Sequence, residues 1–182
     1  AGLGHARLSI VGLDDGQQPM SDASGELTIA FNGEIFNYVE LREELQAKGR
    51  RFRTASDTEV ILHLYDEMGE DCLSLLNGDF AFAIWDARRR RMFLARDRMG
   101  VRPLFYTRQG DRFYFASEVK ALLQVPGVRA EIDPVALDQI FTLWAPIAPR
   151  TAFRDICELE PANLMIVQDS GISTRPYWSL DY

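Results

Sequence analysis

Two histidines and two cysteines are all that this chain of 182 residues offers of the side chains that most often bind metals or attack substrates. Cys72 and Cys157 are too few and too far apart for a disulfide framework, and they point to a reducing compartment, with the cytoplasm as the default location. His5 and His63 stand alone, with no partner at metal-ligand spacing. A Gly-rich phosphate loop is missing, as is any run apolar enough to span a bilayer or any signal-peptide pattern at the start. Positive charge is in deficit: 20 Lys and Arg against 27 Asp and Glu leave a net charge of −7, which argues against nucleic acid or an anionic membrane as main partner. Four successive arginines, Arg88 to Arg91, form a basic run, and between two apolar stretches they read as a solvated hairpin turn.

What remains is an ordinary globular composition, 47% hydrophobic and 26% charged, in one domain spanning 1–182. A chain of this size buries roughly 70% of its unfolded surface, enough for a core. Residues 7–11 and 26–32 read as strands with a polar loop from Gly16 to Gly25 between them. Asn37 and Ser56 each precede a helical stripe, Tyr38, Leu41 and Leu45 in one, Val60, Ile61, Leu64 and Met68 in the other. In both, an acid three residues on (Glu40, Glu59) resembles a capping box, and Gly49 and Gly69 supply the stops. Along Phe80–Trp85 both faces are apolar, large on one side and mostly small on the other, so this strand is expected to be covered on both sides. A hairpin turning at Gly110-Asp111, a short helix at 117–123, a helix from Asp133 to Leu143 and strands near 163–168 and 172–178 complete the pattern. Helices before and after strands buried on both faces suggest an α+β fold of four layers, αββα.

Phe31-Asn32-Gly33-Glu34 holds the densest chemistry. Asn-Gly between strands is a standard two-residue turn. An Asn amide and a Gly N–H delivered into a pocket also suit an oxyanion hole, and both readings stand on the residues alone. Glu34 and Asp57 could hold an ammonium group if they faced one pocket, although Asp57 at a helix start is favourable in any case. Arg7, in an otherwise apolar stretch, calls for a carboxylate partner from the protein or from a ligand. Cys72, ahead of three leucines, reads as a buried apolar residue rather than a nucleophile.

Several motifs stand in order along the chain: Gly4-His5-Ala6-Arg7-Leu8-Ser9-Ile10, Gln18-Pro19-Met20, Phe31-Asn32-Gly33-Glu34-Ile35-Phe36-Asn37 and Ser56-Asp57-Thr58-Glu59. Leu76-Asn77-Gly78-Asp79-Phe80-Ala81-Phe82, Arg96-Asp97-Arg98-Met99-Gly100-Val101-Arg102-Pro103-Leu104 and Ala116-Ser117-Glu118-Val119-Lys120-Ala121-Leu122 continue the series. Together they resemble the glutamine amidotransferase domain of asparagine synthetases, of the class II or N-terminal-nucleophile type, and Glu34 after Asn-Gly matches the asparagine synthetase branch in particular. The resemblance implies an N-terminal-nucleophile hydrolase fold that hydrolyses glutamine to glutamate and ammonia. Ammonia would pass to a second domain that amidates aspartate with ATP and Mg; no cofactor is implied for the glutaminase domain itself. By the same resemblance Arg7 would bind the α-carboxylate of L-glutamine, Glu34 and Asp57 its α-ammonium, and the Asn32 side chain and Gly33 N–H would form the oxyanion hole. Asn37 matches a family position near the pocket.

Family members begin with a cysteine that attacks the amide while its own amino group moves the proton. Here position 1 is Ala1 and the chain closes on Trp178-Ser179-Leu180-Asp181-Tyr182, so we read it as a fragment, incomplete at the N-terminus and without the synthetase domain. Two other readings remain open: a nucleophile-less amino-acid-binding or docking module, and an amidotransferase domain serving a sugar, β-lactam or peptide acceptor. A homo-oligomer is compatible with all of them. The first expectation is that these 182 residues alone release no glutamate from glutamine; turnover that survives Cys72→Ala with Cys157→Ala would overturn it.

Overall fold

The layering follows from the alternation of large and small side chains along one strand. The computed structural model describes residues 1–6 and 16–180; the strand expected at 7–11, with Arg7, lies outside the described residues. The strands in chain order are β1 (Met20–Ser21), β2 (Leu27–Ile35), β3 (Gly78–Asp86), β4 (Arg91–Arg96), β5 (Phe105–Gln109), β6 (Arg112–Ala116), β7 (Ile156–Glu158), β8 (Asn163–Gln168) and β9 (Gly171–Pro176). Four α-helices accompany them: α1 (Tyr38–Ala47), α2 (Asp57–Met68), α3 (Val119–Leu122) and α4 (Pro134–Leu143). An antiparallel sheet of order β1-β2-β3-β4-β8-β9 is stacked on a smaller one, β6-β5-β7.

On β3, Phe80, Phe82 and Ile84 face the helices and join Leu41 and Leu45 of α1 and Val60, Ile61, Leu64 and Tyr65 of α2 in one core. Ala81 and Ala83 face the other way and share a second core with Leu94, Met165, Leu104 and Leu159, bordered by Tyr106, Phe113 and Phe115 of the small sheet. The expected burial on both faces is therefore met, and α3 packs against β5 and β6 to give the αββα order. The helical layer beside the small sheet is sparse, because α4 fully buries only Ala136 and leaves Phe141 and Trp144 exposed.

Most local expectations hold, with four corrections. A two-residue strand, β1, sits inside the loop expected from Gly16 to Gly25, paired to Thr28 and Ile29. Asn37 stands at the N-cap of α1 without capping it; its amide donates to Leu75 O at 3.0 Å and its oxygen accepts from Asn77 N at 3.0 Å, tying the helix start to the entry of β3. Ser56 does cap α2, accepting from Thr58 N at 3.2 Å, but buried Glu59 turns outward from the box to hold the N–H groups of Arg53 and Thr54. Met68, at the last turn of α2, is too far along to reach the core and is partly exposed. The stop of α1 is as expected: Gly49, at φ 89°, lets Arg50 N–H bond to Leu45 O and its own N–H to Gln46 O.

The arginine run forms the β3–β4 turn, and each member finds a carboxylate: Arg88 with Asp66, Arg89 with Asp86, Arg90 with Asp169, Arg91 with Glu70. A tighter clamp follows β4. Asp97, almost fully buried, accepts from the N–H groups of Met99, Val101 and Arg102 at 2.9–3.1 Å and of Phe80 at 3.3 Å. Arg96 beside it donates to the carbonyls of Arg102, Leu159 and Gly100 and pairs with Glu158. Removing the Asp97 carboxylate orphans four backbone donors, so Asp97→Ala is expected to lower stability by about 2–4 kcal/mol, measured by urea unfolding.

Candidate active site

Along β2 the backbone and the side chains are sorted by the period of two. On one flank β2 pairs with β3 over its whole length, from Leu27 opposite Asp86 to Ile35 opposite Gly78; on the other, among the described residues, β1 covers Thr28 and Ile29 alone. The odd-numbered amides point to that second flank: Leu27 N–H donates to Asp22 Oδ1 at 3.0 Å, Phe31 N–H to Gln18 Oε1 at 2.6 Å and Ile35 N–H to Asp57 Oδ2 at 3.1 Å. By the same alternation the N–H of Gly33 points between the last two.

Even-numbered side chains lie on the face that looks toward the small sheet. Ala30 and Asn32, together with Ala81 and Ala83 of β3, floor a cavity of about 670 Å³. The small residues on that face are what leave the space. Gln18, Asp57 and Thr58 form the wall beside the free flank of β2, and Leu104 and Phe115 face them from the small-sheet side. Asn32, Gly33 and Asp57 thus line one cavity.

Asn32-Gly33 is not a turn. The strand continues through Ile35, and Gly33 is opposite Phe80 within the ladder. Nor does the strand stop at Phe31-Glu34, where the apolar run ends. Glycine is required here for packing: φ is 144°, and a Cβ would collide with the carbonyl oxygen of Asp79. Gly78 is under the same constraint against Glu34 O, so this end of the β2–β3 ladder admits no side chain at either position.

Asp57 opens α2, only 4% exposed. Burial raises its pKa above the usual Asp value; hydrogen bonds from the amides of Ile35 and Thr58 and from Ser56 oppose the rise, and the neighbouring Glu34 charge adds to it. Glu34 is half-buried and close enough to be felt by Asp57, but it does not line the cavity wall. Arg7 lies outside the described residues. Sequence reasoning assigned no role to Gln18 or Thr58, although the Gln18-Pro19-Met20 motif was in plain view; nothing in composition or spacing says that the Gln18 side chain accepts the Phe31 N–H.

Neither cysteine is placed or activated for attack. Cys72 is buried beneath α2, its thiol pushed up to about 12 by burial and by Asp71 and Glu70. Cys157 lies on β7, half-buried, its thiol raised by burial.

A model of the glutamine amidotransferase domain matches residues 1–178. The chain belongs to the glutamine amidotransferase domain family. Asparagine synthetase [glutamine-hydrolyzing] 3 of Bacillus subtilis is 44% identical over 182 residues, covering 98% of this chain and 30% of that protein. The enzyme numbered 1 of the same organism is 41% identical, over 100% of this chain and 29% of its own. The chain therefore spans less than a third of the length of these relatives. Among solved structures, the glutamine phosphoribosylpyrophosphate amidotransferase of B. subtilis, complexed with ADP and GMP, superposes with a TM-score of 0.62 at 28% identity, over 88% of this chain and 32% of that one. The amidotransferase-domain fold, mixed α and β with antiparallel sheets, is thus the one expected of an N-terminal-nucleophile hydrolase.

Asp57 of this domain gives a prediction with a definite sign. Its pKa is higher in the folded than in the unfolded chain, so the ionised form costs stability at pH values above the folded pKa. Asp57→Asn keeps an acceptor for Ile35 N–H and removes that cost. The urea midpoint is expected to rise at pH 7, and the gain to fade as pH falls through the folded pKa and to vanish below the unfolded value near ~3.9.

Proposed function

We infer that the cavity is a glutamine site and that the protein containing this domain hydrolyses glutamine to supply ammonia to an asparagine synthetase. The observation that supports this most is the convergence of the Asn32 side chain, the Gly33 backbone and a buried, charge-strained Asp57 on one cavity floored by alanines. In this reading the side-chain carbonyl oxygen of glutamine lies between the Asn32 amide and the Gly33 N–H. Both donors are preorganised by the ladder, so they stabilise the oxyanion as the carbonyl carbon becomes tetrahedral.

Asp57 and Glu34 supply negative charge for the α-ammonium. An ammonium group satisfies Asp57 better than water does, because the carboxylate is already desolvated before the ligand arrives. Arg7 takes the α-carboxylate. Hydrolysis then turns glutamine and water into glutamate and ammonia. The attacking group is assigned by family likeness to an N-terminal cysteine, not to Cys72 or Cys157. Amidation of aspartate with ATP and Mg belongs, in this proposal, to the part of the protein that the relatives carry beyond this domain, and ammonia passes to it. The cytoplasm suits two free thiols, and among the described residues no helix is long and apolar enough to cross a membrane.

The test separates binding from chemistry. In the full-length protein, Asn32→Ala should lower glutaminase kcat by about 100-fold with little change in KM. Asp57→Ala should raise KM instead. If Asn32→Ala leaves kcat unchanged, the oxyanion assignment fails.

A further inference from the structure

We propose that Gln18 is a positioning residue, acting through Phe31 and Thr58 to hold the Gly33 N–H and Asn32 in register for the transition state. This rests on the glutaminase reading above, and its structural half can be tested without it.

Gln18 stands where β1, which begins at Met20, does not reach. An edge strand opposite Phe31 would normally take its N–H, but among the described residues β1 pairs with Thr28 and Ile29 of β2 alone. The chain enters β1 at Met20, and two residues earlier the Gln18 side chain turns back to do what the strand does not. Its oxygen accepts the Phe31 N–H at 2.6 Å, and its amide nitrogen lies 3.4 Å from Thr58 Oγ1. Thr58 is itself joined to Ser56 Oγ at 3.1 Å, and Ser56 to Asp57 Oδ1 at 3.4 Å. Asp57 closes the loop by accepting Ile35 N–H at 3.1 Å.

The five-residue span from Phe31 to Ile35 is therefore fastened at both ends to the start of α2, by Gln18 at one end and Asp57 at the other. Asn32, Gly33 and Glu34 lie between the two fastenings. Asp57 is occupied with ligand in the proposed reaction, whereas Gln18 has no such duty; its oxygen is committed to the backbone. Losing that acceptor frees one end of the span and lets the Gly33 N–H tilt. The oxyanion is the species most sensitive to such a tilt, since its stabilisation depends on donors fixed before the charge develops.

Gln18→Met keeps the shape and removes the acceptor; Gln18→Glu restores an acceptor for Phe31 N–H but not the donor to Thr58. In the full-length protein, Gln18→Met is expected to lower glutaminase kcat by about tenfold or more with KM within about twofold, and Gln18→Glu to recover most of that loss. Amide hydrogen exchange at Phe31 is expected to accelerate in Gln18→Met and to return toward wild type in Gln18→Glu. An unchanged kcat, a loss carried by KM, or a loss that Gln18→Glu does not repair overturns the proposal. If the wild type itself releases no glutamate, the glutaminase reading falls. Exchange at Phe31 then decides the clamp alone: no acceleration in Gln18→Met overturns it. Should Gln18→Met lose its cooperative melt, Thr58→Val is read in its place; it frees the Gln18 amide, is expected to lower kcat by about threefold at unchanged KM, and an unchanged kcat overturns the proposal.

Discussion

The pairing of the outer edge of β2, which among the described residues only β1 covers, at Thr28 and Ile29, is the constraint on which the site depends. Backbone N–H groups away from water must find acceptors, and an edge of β2 covered by only two residues of β1 leaves several to be answered in other ways. Side chains answer three of them, the Asp22 carboxylate at Leu27, the Gln18 oxygen at Phe31 and the Asp57 carboxylate at Ile35. The amide between the last two belongs to Gly33, which lines the cavity. The proposed site for a developing negative charge thus uses an ordinary sheet-edge donor rather than a special loop.

Packing creates the space into which that amide points. Had Ala81 and Ala83 been as large as Phe80 and Phe82, the two sheets would meet side chain to side chain and close the cavity. Large residues go to the helical face, where α1 and α2 bury them, and alanines go to the face that lines the cavity. The glycines work at right angles to this, within the sheet. At Gly33 and Gly78 the strands lie so close that a side chain on Gly33 would strike Asp79 O and one on Gly78 would strike Glu34 O. The donor of Gly33 is thereby held by backbone contacts rather than by any side chain that could swing.

Much of this was legible in the residues, and the reasons for what was not are physical. Periodicity exposed α1, α2 and the two-faced burial of β3, and local cap and turn residues marked α4, at Asp133-Pro134, and the β5–β6 hairpin, at Gly110-Asp111. Asn32-Gly33 was ambiguous because the dipeptide is a common turn and is depleted in strands; only the partner strand, which sets Asn32 opposite Ala81 and Gly33 opposite Phe80, decides that it lies within the sheet. Asn37 and Glu59 looked like capping residues because their positions permit it, yet each side chain found unpaired backbone outside its own helix. Gln18 carried no signal of its kind at all. A glutamine replacing a ladder hydrogen bond is visible only when the end of β1 is known. Ordered motifs gave the family, while the burial of Asp57 and the absence of Glu34 from the cavity wall needed coordinates.

Two buried carboxylates from outside the sheet fix the reactive segment from opposite sides. Asp57 holds β2 at Ile35, and Asp97 holds β3 at Phe80, the residue directly opposite Gly33. They differ in what they leave over. Asp97 spends both oxygens on four backbone amides and has nothing to offer a ligand. Asp57 keeps capacity for a further partner, at the price of an ionised form that burial disfavours. A carboxylate saturated by backbone is a structural pin; one buried beside a cavity and still short of positive charge is prepared for a cation. That contrast, between two acids on either side of the same pair of residues, is the strongest physical reason to assign the ammonium end of glutamine to Asp57 and none of the ligand to Asp97.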